Sequence, residues 1–234
     1  MKIGGIIFSR MSSSRLPGKA KIEISGKNLL SRVIERSKKI SMIDHLCLAT
    51  SINDEDNEIE ELALSLGLEV YRGDLKDVAK RAYKAASKFE YTDFLRICAD
   101  RPFFDYRLYD TMIQKHLESV NDLTTSIFPR TVPVGFTGEI VSVKALERLL
   151  SFTKCVKDRE HVTRYFYNNP KLFSISNIDF NLSKEIINLK LALDCEKDLK
   201  MAKWIINNSD IDPEYNSEKI FSLAKEWNKI NTST

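Results

Sequence analysis

The chain has 234 residues, of which 43% are hydrophobic and 29% charged, and its formal net charge is +3. This composition is typical of a globular domain with a sizeable core, and so small a positive charge gives no reason to expect a nucleic-acid partner. The four cysteines contain no Cys-x-x-Cys pair, which argues against a zinc site and a disulfide framework. Because no apolar stretch approaches the ~20 residues that span a bilayer, we expect a reduced, cytoplasmic protein without membrane contact.

The first element is an apolar run over residues 1–8, which is short enough to be one buried strand. Residues 9–19 follow and read Ser-Arg-Met-Ser-Ser-Ser-Arg-Leu-Pro-Gly-Lys; we call them the basic loop. Its hydroxyl and backbone N–H groups can donate to phosphate oxygens, while Arg10, Arg15 and Lys19 add positive charge. The loop therefore indicates either a polyphosphate site or a solvated basic surface. It matches neither Gly-x-x-x-x-Gly-Lys-Ser/Thr nor Gly-x-Gly-x-x-Gly, which disfavours a Walker-type ATPase and an ordinary dinucleotide dehydrogenase.

Strands and helices are predicted to alternate after this loop. The periodicity predicts helices over residues 29–40, 53–66, 78–89 and 107–117, and strands over residues 44–50, 68–71 and 92–99. This alternation is typical of a mostly parallel α/β sheet with helices on both faces.

The pattern changes near Asp122. Residues 123–128 and 137–143 are predicted to be extended, and Pro129, Pro133 and Gly135 interrupt the chain between them. We interpret residues 123–143 as an excursion from a single domain that comprises residues 1–234. Further on, we predict helices over 145–152, 160–168, 197–207 and 217–228, and extended segments over 173–180 and 188–193.

Polar residues follow the predicted strands, and ligands of open parallel sheets bind at the carboxyl ends of the strands. The predicted strand ends are Ser9-Arg10, Thr50-Ser51, Arg72-Gly73-Asp74, Asp100-Arg101-Pro102 and Asp194. A basic loop and two carboxylates in one crevice suit a nucleoside triphosphate with Mg²⁺. A turn or helix cap remains the alternative for Asp100, and a helix N-cap for Asp194. Neither carboxylate has an evident cationic partner nearby in the sequence, apart from the adjacent Arg101.

Two further polar groups are ambiguous. Residues 158–163 read Asp-Arg-Glu-His-Val-Thr, and they fit either the solvent-exposed face of a helix or part of a ligand-binding site. Glu139, which follows Gly138, is either an exposed strand residue or a carboxylate that faces a ligand.

Taken in order, these motifs resemble those of the SpsF-like (spore-coat-polysaccharide-type) cytidylyltransferases, which are relatives of the CMP-Kdo and CMP-sialic acid synthetases. The resemblance covers roughly residues 1–205 and begins with the basic loop. The other motifs are Leu29-Leu30, Ala49-Thr50-Ser51, Arg72-Gly73-Asp74, Asp77-Val78, Ala99-Asp100-x-Pro102, Gly138-Glu139, Asp158 to Thr163, and Leu193-Asp194-x-x-x-Asp198-Leu199.

The resemblance implies a Rossmann-like α/β domain of the nucleotide-diphospho-sugar transferase type, in which the excursion pairs two subunits as a homodimer. The implied reaction transfers CMP from CTP to a sugar acid, a sugar or another small phosphorylated acceptor for surface-glycan biosynthesis, and it releases pyrophosphate with Mg²⁺ as cofactor. The residues implied to bind the nucleotide are Ser9, Arg10, Met11, Ser14, Arg15, Lys19, Thr50, Ser51, Arg72 and Asp74. Those implied to bind the acceptor are Arg101, Glu139, Arg159, Glu160 and His161. Catalytic roles fall to Arg15, Lys19 and Asp100, and Mg²⁺ binding falls to Asp100 and Asp194.

The chain departs from the family pattern at a few positions, so the identity of the acceptor and of the nucleobase is not determined. Ser9 stands where alanine is common, Arg101 where cysteine is common, and Leu191-Ala192 where threonine and valine are usual. Two alternatives have different sequence requirements. A GT-A-like glycosyltransferase would need an Asp-x-Asp motif, which residues 100–102 do not form, and a catalytically silent relative would be expected to lose Lys19, Asp100 or Asp194.

Overall fold

The computed structural model describes residues 1–13, 15–209 and 216–232, so that Ser14 of the basic loop lies outside the described residues. The strands are β1 (Ile3–Phe8), β2 (Glu23–Ile24), β3 (Lys27–Asn28), β4 (His45–Ser51), β5 (Glu69–Gly73), β6 (Asp93–Cys98), β7 (Leu123–Thr125), β8 (Glu139–Ser142) and β9 (Ile175–Asn177). The α-helices are α1 (Leu29–Ser37), α2 (Asn57–Ser65), α3 (Val78–Lys88), α4 (Tyr106–Glu118), α5 (Val143–Phe152), α6 (Val156–Glu160), α7 (Arg164–Asn168), α8 (Lys184–Ile187), α9 (Glu196–Asn207) and α10 (Ser217–Thr232).

The main sheet of the described chain has the strand order β5-β4-β1-β6-β8-β7-β9. Strand β8 runs antiparallel to both of its neighbours, and every other pair in this sheet is parallel. Strands β2 and β3 form a separate antiparallel pair directly after the basic loop. The prediction of a mostly parallel α/β sheet is therefore confirmed.

Helices cover both faces of the sheet because its central strands are apolar on both sides. On β6, Leu95 and Ile97 pack into a core cluster that includes residues of α1, α4, α9 and α10. Phe94 points to the opposite face and packs with residues of α3 and α5. Arg96 and Cys98 alternate with Leu95 and Ile97, which places them on the α3 face, where the candidate site lies.

The predicted excursion is shorter than residues 123–143, because its two ends belong to the main sheet. Strand β7 pairs with β8, and β8 also pairs with β6. Only residues 126–138 leave the sheet, and much of that loop is buried, including Val132 and Phe136. Its surface consists chiefly of residues 128–130.

Residues 188–193 do not form the strand that the sequence predicts. They run beside the 126–138 loop, where Lys190 makes an isolated bridge with Val134 and the Leu191 N–H donates to the Val134 carbonyl at 2.7 Å. Gly135 permits this approach, since it has φ +105° and a Cβ there would lie 2.6 Å from the Leu191 carbonyl carbon. The apolar run reflects burial of Leu191 and Leu193 in the core rather than sheet pairing.

Residues 160–168 also differ from the single helix predicted, because α6 ends at Glu160 and α7 begins at Arg164. Val162 lies between the two helices with φ +30°, a value outside the helical range. None of the helices in the described ranges is long and apolar enough to cross a membrane.

Candidate active site

The basic loop is held in place at both ends. The Gly18 N–H donates to the Met11 carbonyl at 3.1 Å, and Gly18 adopts φ +66°, a conformation that glycine allows at little steric cost. The Met11 N–H donates to Oδ1 of Asp56 at 2.7 Å. Asp56 is fully buried, and its other carboxylate oxygen accepts from the Ser51 N–H at 3.0 Å. Strand β4 and the loop are therefore tied together through one carboxylate that the sequence analysis did not single out.

A cavity of about 320 Å³ opens at the carboxyl ends of β1 and β6, which is at the lower end of the usual range for small-molecule sites. The predicted site residues that line it are Ser9, Arg10, Arg15, Lys19, Asp100, Glu160, His161 and Asp194. The cavity therefore combines the basic loop, both proposed metal ligands and two of the proposed acceptor residues.

Asp100 and Asp194 face one point, which Lys19 occupies. The Lys19 Nζ lies 2.9 Å from Oδ2 of Asp100 and 3.7 Å from Oδ1 of Asp194, and it donates to the Leu193 carbonyl at 3.2 Å. Arg15 reaches the same Asp194 oxygen at 3.4 Å. The expectation that Asp194 has no cationic partner nearby in the sequence is wrong, because Lys190 Nζ lies 3.5 Å from its Oδ2. The other partners come from the basic loop, far away in sequence.

Asp194 reaches this position on a loop rather than at the end of a strand. The Leu193 N–H donates to the Asp100 carbonyl at 2.8 Å, which brings the two segments side by side. Asp198, in the first turn of α9, accepts from the Asp194 N–H at 2.8 Å and from Lys190 Nζ. The N-cap of α9 is Cys195, so Asp194 does not have the helix-cap role that was its alternative.

The charge state of this cluster favours a cationic ligand. Burial acts to raise the pKa of Asp100, but Lys19 and Arg101 outweigh it, and the pKa lies below its ordinary value. Two carboxylates that meet at one point fit Mg²⁺, which binds through one or two carboxylates together with phosphate oxygens and waters. Within the described ranges, no group of three or more His, Cys, Asp or Glu side chains could hold a metal.

Five of the described residues predicted to bind the nucleotide do not line the cavity, namely Met11, Thr50, Ser51, Arg72 and Asp74. Thr50 and Ser51 are fully buried, and the Ser51 hydroxyl donates to Asp56. Arg72 donates to the backbone carbonyls of Ser51 and Asn53 and to two side chains of α2. Asp74 accepts from the N–H groups of residues 77 and 76, which lower its pKa. The described contacts of Ser51, Arg72 and Asp74 therefore indicate structural roles. Met11, which belongs to the basic loop, packs its side chain against the core.

Three residues predicted to bind the acceptor also lie outside the cavity lining. Arg101 is largely buried and donates to the Thr137 carbonyl. Glu139 is 1% exposed and pairs with Arg96. Burial acts to raise its pKa, but Arg96 and hydrogen bonds from Thr163 and Tyr167 outweigh burial, and the net shift is downward.

Arg159, the third of these residues, faces away from the cavity. It pairs with Asp77 at 3.2 Å and donates to two backbone carbonyls. Glu160 and His161 line the cavity as predicted, and Glu160 pairs with Arg10 at 3.1 Å.

The cavity also contains polar residues that the sequence analysis did not identify. They are Ser12, Ser13, Arg81, Arg96 and Cys98. Arg81 is 3% exposed, and burial together with the nearby charge of Arg10 lowers its pKa to about 10. The signal that could have identified Arg96 is its position: it is the one cation inside the apolar strand β6.

Comparisons with known proteins identify the family that this sequence resembles. The family model described as Cytidylyltransferase matches residues 5–220. The spore coat polysaccharide biosynthesis protein SpsF of Bacillus subtilis is 28% identical over 93% of this chain and 92% of its own length. The mitochondrial 3-deoxy-manno-octulosonate cytidylyltransferase of Arabidopsis thaliana is 26% identical over 97% of this chain and 84% of its own length.

A solved structure extends the agreement to the whole fold. The structure of a cytidylyltransferase from Leptospira borgpetersenii superposes with a TM-score of 0.87 at 26% identity, covering 100% of this chain and 96% of that one. The resemblance indicated by the motifs is thereby confirmed. The chain belongs to the cytidylyltransferase family.

Proposed function

We propose that the protein transfers CMP from CTP to a small acidic or phosphorylated acceptor and releases pyrophosphate. The observation that carries this proposal is the shared cavity, in which the basic loop faces the Asp100 and Asp194 carboxylates. In the proposed reaction an acceptor oxygen attacks the α-phosphorus of CTP, and the bond from that phosphorus to the α,β-bridging oxygen breaks. Catalysis of such a transfer consists mainly of positioning and charge stabilisation.

The chain's own residues would share this work. Arg10, Arg15 and Lys19 would bind the triphosphate, with Arg15 and Lys19 stabilising the pyrophosphate as it leaves. Asp100 and Asp194 would hold Mg²⁺ in place of the ammonium of Lys19, which would then move to the phosphate oxygens. The bound Mg²⁺ would neutralise the charge that develops on those oxygens. A GT-A-like glycosyltransferase is less well supported, because Pro102 stands at the position where the Asp-x-Asp motif of that class needs its second aspartate.

The names of the relatives support a sugar acid as the acceptor class. The Arabidopsis relative is named for 3-deoxy-manno-octulosonate, an anionic sugar, and the Bacillus relative for spore coat polysaccharide. We therefore propose a role in surface-glycan biosynthesis. The cytoplasmic location stays a prediction from the sequence.

The nucleotide preference can be tested by thermal shift. We expect CTP with Mg²⁺ to raise the melting temperature more than ATP, GTP or UTP at equal concentration, because a ligand at ~100 times its Kd stabilises a fold by ~2.7 kcal/mol. Pyrophosphate release with the same four nucleotides and a panel of sugar acids and sugar phosphates checks the reaction itself. A preference for a purine nucleotide would contradict the assignment of CTP.

We also propose that the protein forms a homodimer through the exposed part of the 126–138 loop. Phe128 is 40% exposed, and its ring centroid lies 5.2 Å from that of Tyr167, which leaves an apolar surface on this loop. A twofold dimer is the commonest closed arrangement for such a surface. Light scattering at micromolar concentration should give twice the chain mass, and Phe128→Ser should reduce the dimer fraction. A monomer mass for the wild-type protein would contradict this prediction.

A further inference from the structure

Arg96 is a cation in the cavity that the proposed CTP site does not use. It lies on β6, its side chain is 20% exposed, and it lines the cavity together with Cys98 and Asp100. Its Nε–H is buried and has no hydrogen-bond partner among the described residues. The one described partner of its guanidinium is Glu139, which accepts from Nη1. Since a guanidinium offers five N–H donors, most of this group's capacity is unused.

A row of polar groups across the sheet holds this guanidinium in position. Leu95 pairs with Ile140 across β6 and β8, and this register places Arg96 next to Glu139. The second oxygen of Glu139 accepts from the Tyr167 hydroxyl at 2.7 Å. That hydroxyl also bonds to Oγ1 of Thr125 at 2.8 Å. Arg96 is therefore held by the buried carboxylate of Glu139, which is in turn held by the hydroxyl of Tyr167.

This arrangement suits an oxyanion. An arginine that lines a cavity, whose position is set and which keeps unpaired donors, can bind a carboxylate or a phosphate group with little loss of conformational freedom. An ion pair with a purely structural role would instead be expected to have its buried donors satisfied, because an unpaired buried N–H is unfavourable.

Its position separates Arg96 from the cations assigned to the triphosphate. Arg10, Arg15 and Lys19 belong to the loop that follows β1, whereas Arg96 lies on the neighbouring strand and is paired toward β8. Asp100, four residues after Arg96 in the chain, feels both groups, since Lys19 and Arg96 each act to lower its pKa.

We propose that Arg96 binds the anionic group of the acceptor, either a carboxylate or a phosphate, and that Glu139 and Tyr167 are positioning residues for it. This inference rests on the proposed function, which supplies the identity of the second substrate. It also revises the role of Glu139, which then acts on the acceptor through Arg96 rather than by direct contact.

The test uses the complete chain with Mg²⁺ and α,β-methylene CTP, and it titrates acetate and inorganic phosphate as minimal oxyanions. The ¹⁵N-labelled arginine side chains are followed by NMR, and the Arg96 Nε–H signal is assigned by its loss in Arg96→Met. We expect this signal to shift saturably with one of the two anions, and the anion that acts identifies a carboxylate or a phosphate acceptor. The amides of Cys98 and Ala99 report binding in the variant, where affinity should fall about 10- to 100-fold.

Controls separate the possible outcomes. CTP affinity measured by calorimetry should change less than about threefold in Arg96→Met, and Arg148→Met, which removes an ion-paired arginine outside the cavity, should leave both affinities unchanged. Tyr167→Phe should weaken oxyanion binding while CTP affinity stays the same, which a general loss of structure would not produce. If neither anion shifts the Arg96 signal, or if Arg96→Met weakens CTP binding as strongly as oxyanion binding, the inference is overturned. If CTP itself fails to bind, the proposed function fails, and the same titration without nucleotide still decides the role of Arg96.

Discussion

Asp100→Asn and Asp194→Asn are each expected to lower Mg²⁺-dependent turnover by about a thousandfold. Both substitutions keep the side-chain shape and remove one of the two charges that converge on a common point. Metal stabilisation of developing phosphate charge contributes several kcal/mol, and each 1.36 kcal/mol corresponds to a tenfold change in rate. CTP binding through the basic loop should survive in weakened form. Turnover as a function of Mg²⁺ concentration, measured by pyrophosphate release, checks the prediction.

The double variant makes this test specific for a shared metal. Residues that act as one unit have non-additive effects, so the double variant should be little worse than either single one. Asp122→Asn is a matched control, because Asp122 pairs with Arg148 outside the cavity. If either single variant keeps near-normal turnover at limiting Mg²⁺, that aspartate does not bind the metal.

Apart from the β2–β3 pair, which was not predicted, the fold of the first 120 residues could be predicted because local patterns decide it. The apolar run of residues 3–8 forms the buried strand β1, and Gly67, with φ +73°, follows directly after the end of α2. The segment 188–193 shows where this logic fails. Its apolar residues are buried as predicted, but a run of this length is equally compatible with an extended segment that packs beside a loop.

The candidate site was predictable where its residues lie close together in the sequence, and only partly predictable elsewhere. Arg10, Arg15 and Lys19 lie in one loop, so one turn of the chain brings them to the cavity. Arg72 and Arg159 are arginines in polar motifs, like those of the basic loop, but their guanidinium groups donate to backbone carbonyls. Side-chain direction at a strand end depends on tertiary partners, and the sequence alone does not specify it.

Lys19 belongs to the basic loop and contacts both carboxylates of the site. Lys19→Met is expected to lower turnover by about a hundredfold or more. Its ammonium contacts Asp100 and Asp194, and the loss of one charge-stabilising group in an active site typically costs 10²–10³ in rate. The neighbouring Lys21 provides a matched control, since it is half exposed, pairs with Glu58 and does not line the cavity. Lys21→Met should retain normal turnover.

The pH dependence of Lys19→Met gives a second, independent readout. In the wild-type protein the pKa of Asp100 lies below its ordinary value, so the stability that this carboxylate contributes is present above the unfolded-state pKa and is lost as the pH falls through the folded-state pKa. Without Lys19, burial is opposed less strongly and the pKa of Asp100 in the free enzyme should rise, which moves the acid limb of kcat/KM to higher pH. The free energy of unfolding at pH 7 should fall by about 1–2 kcal/mol, and the difference from wild type should shrink at pH 3. Urea unfolding at the two pH values measures this, and behaviour identical to that of Lys21→Met would show that Lys19 does not control the ionisation of Asp100.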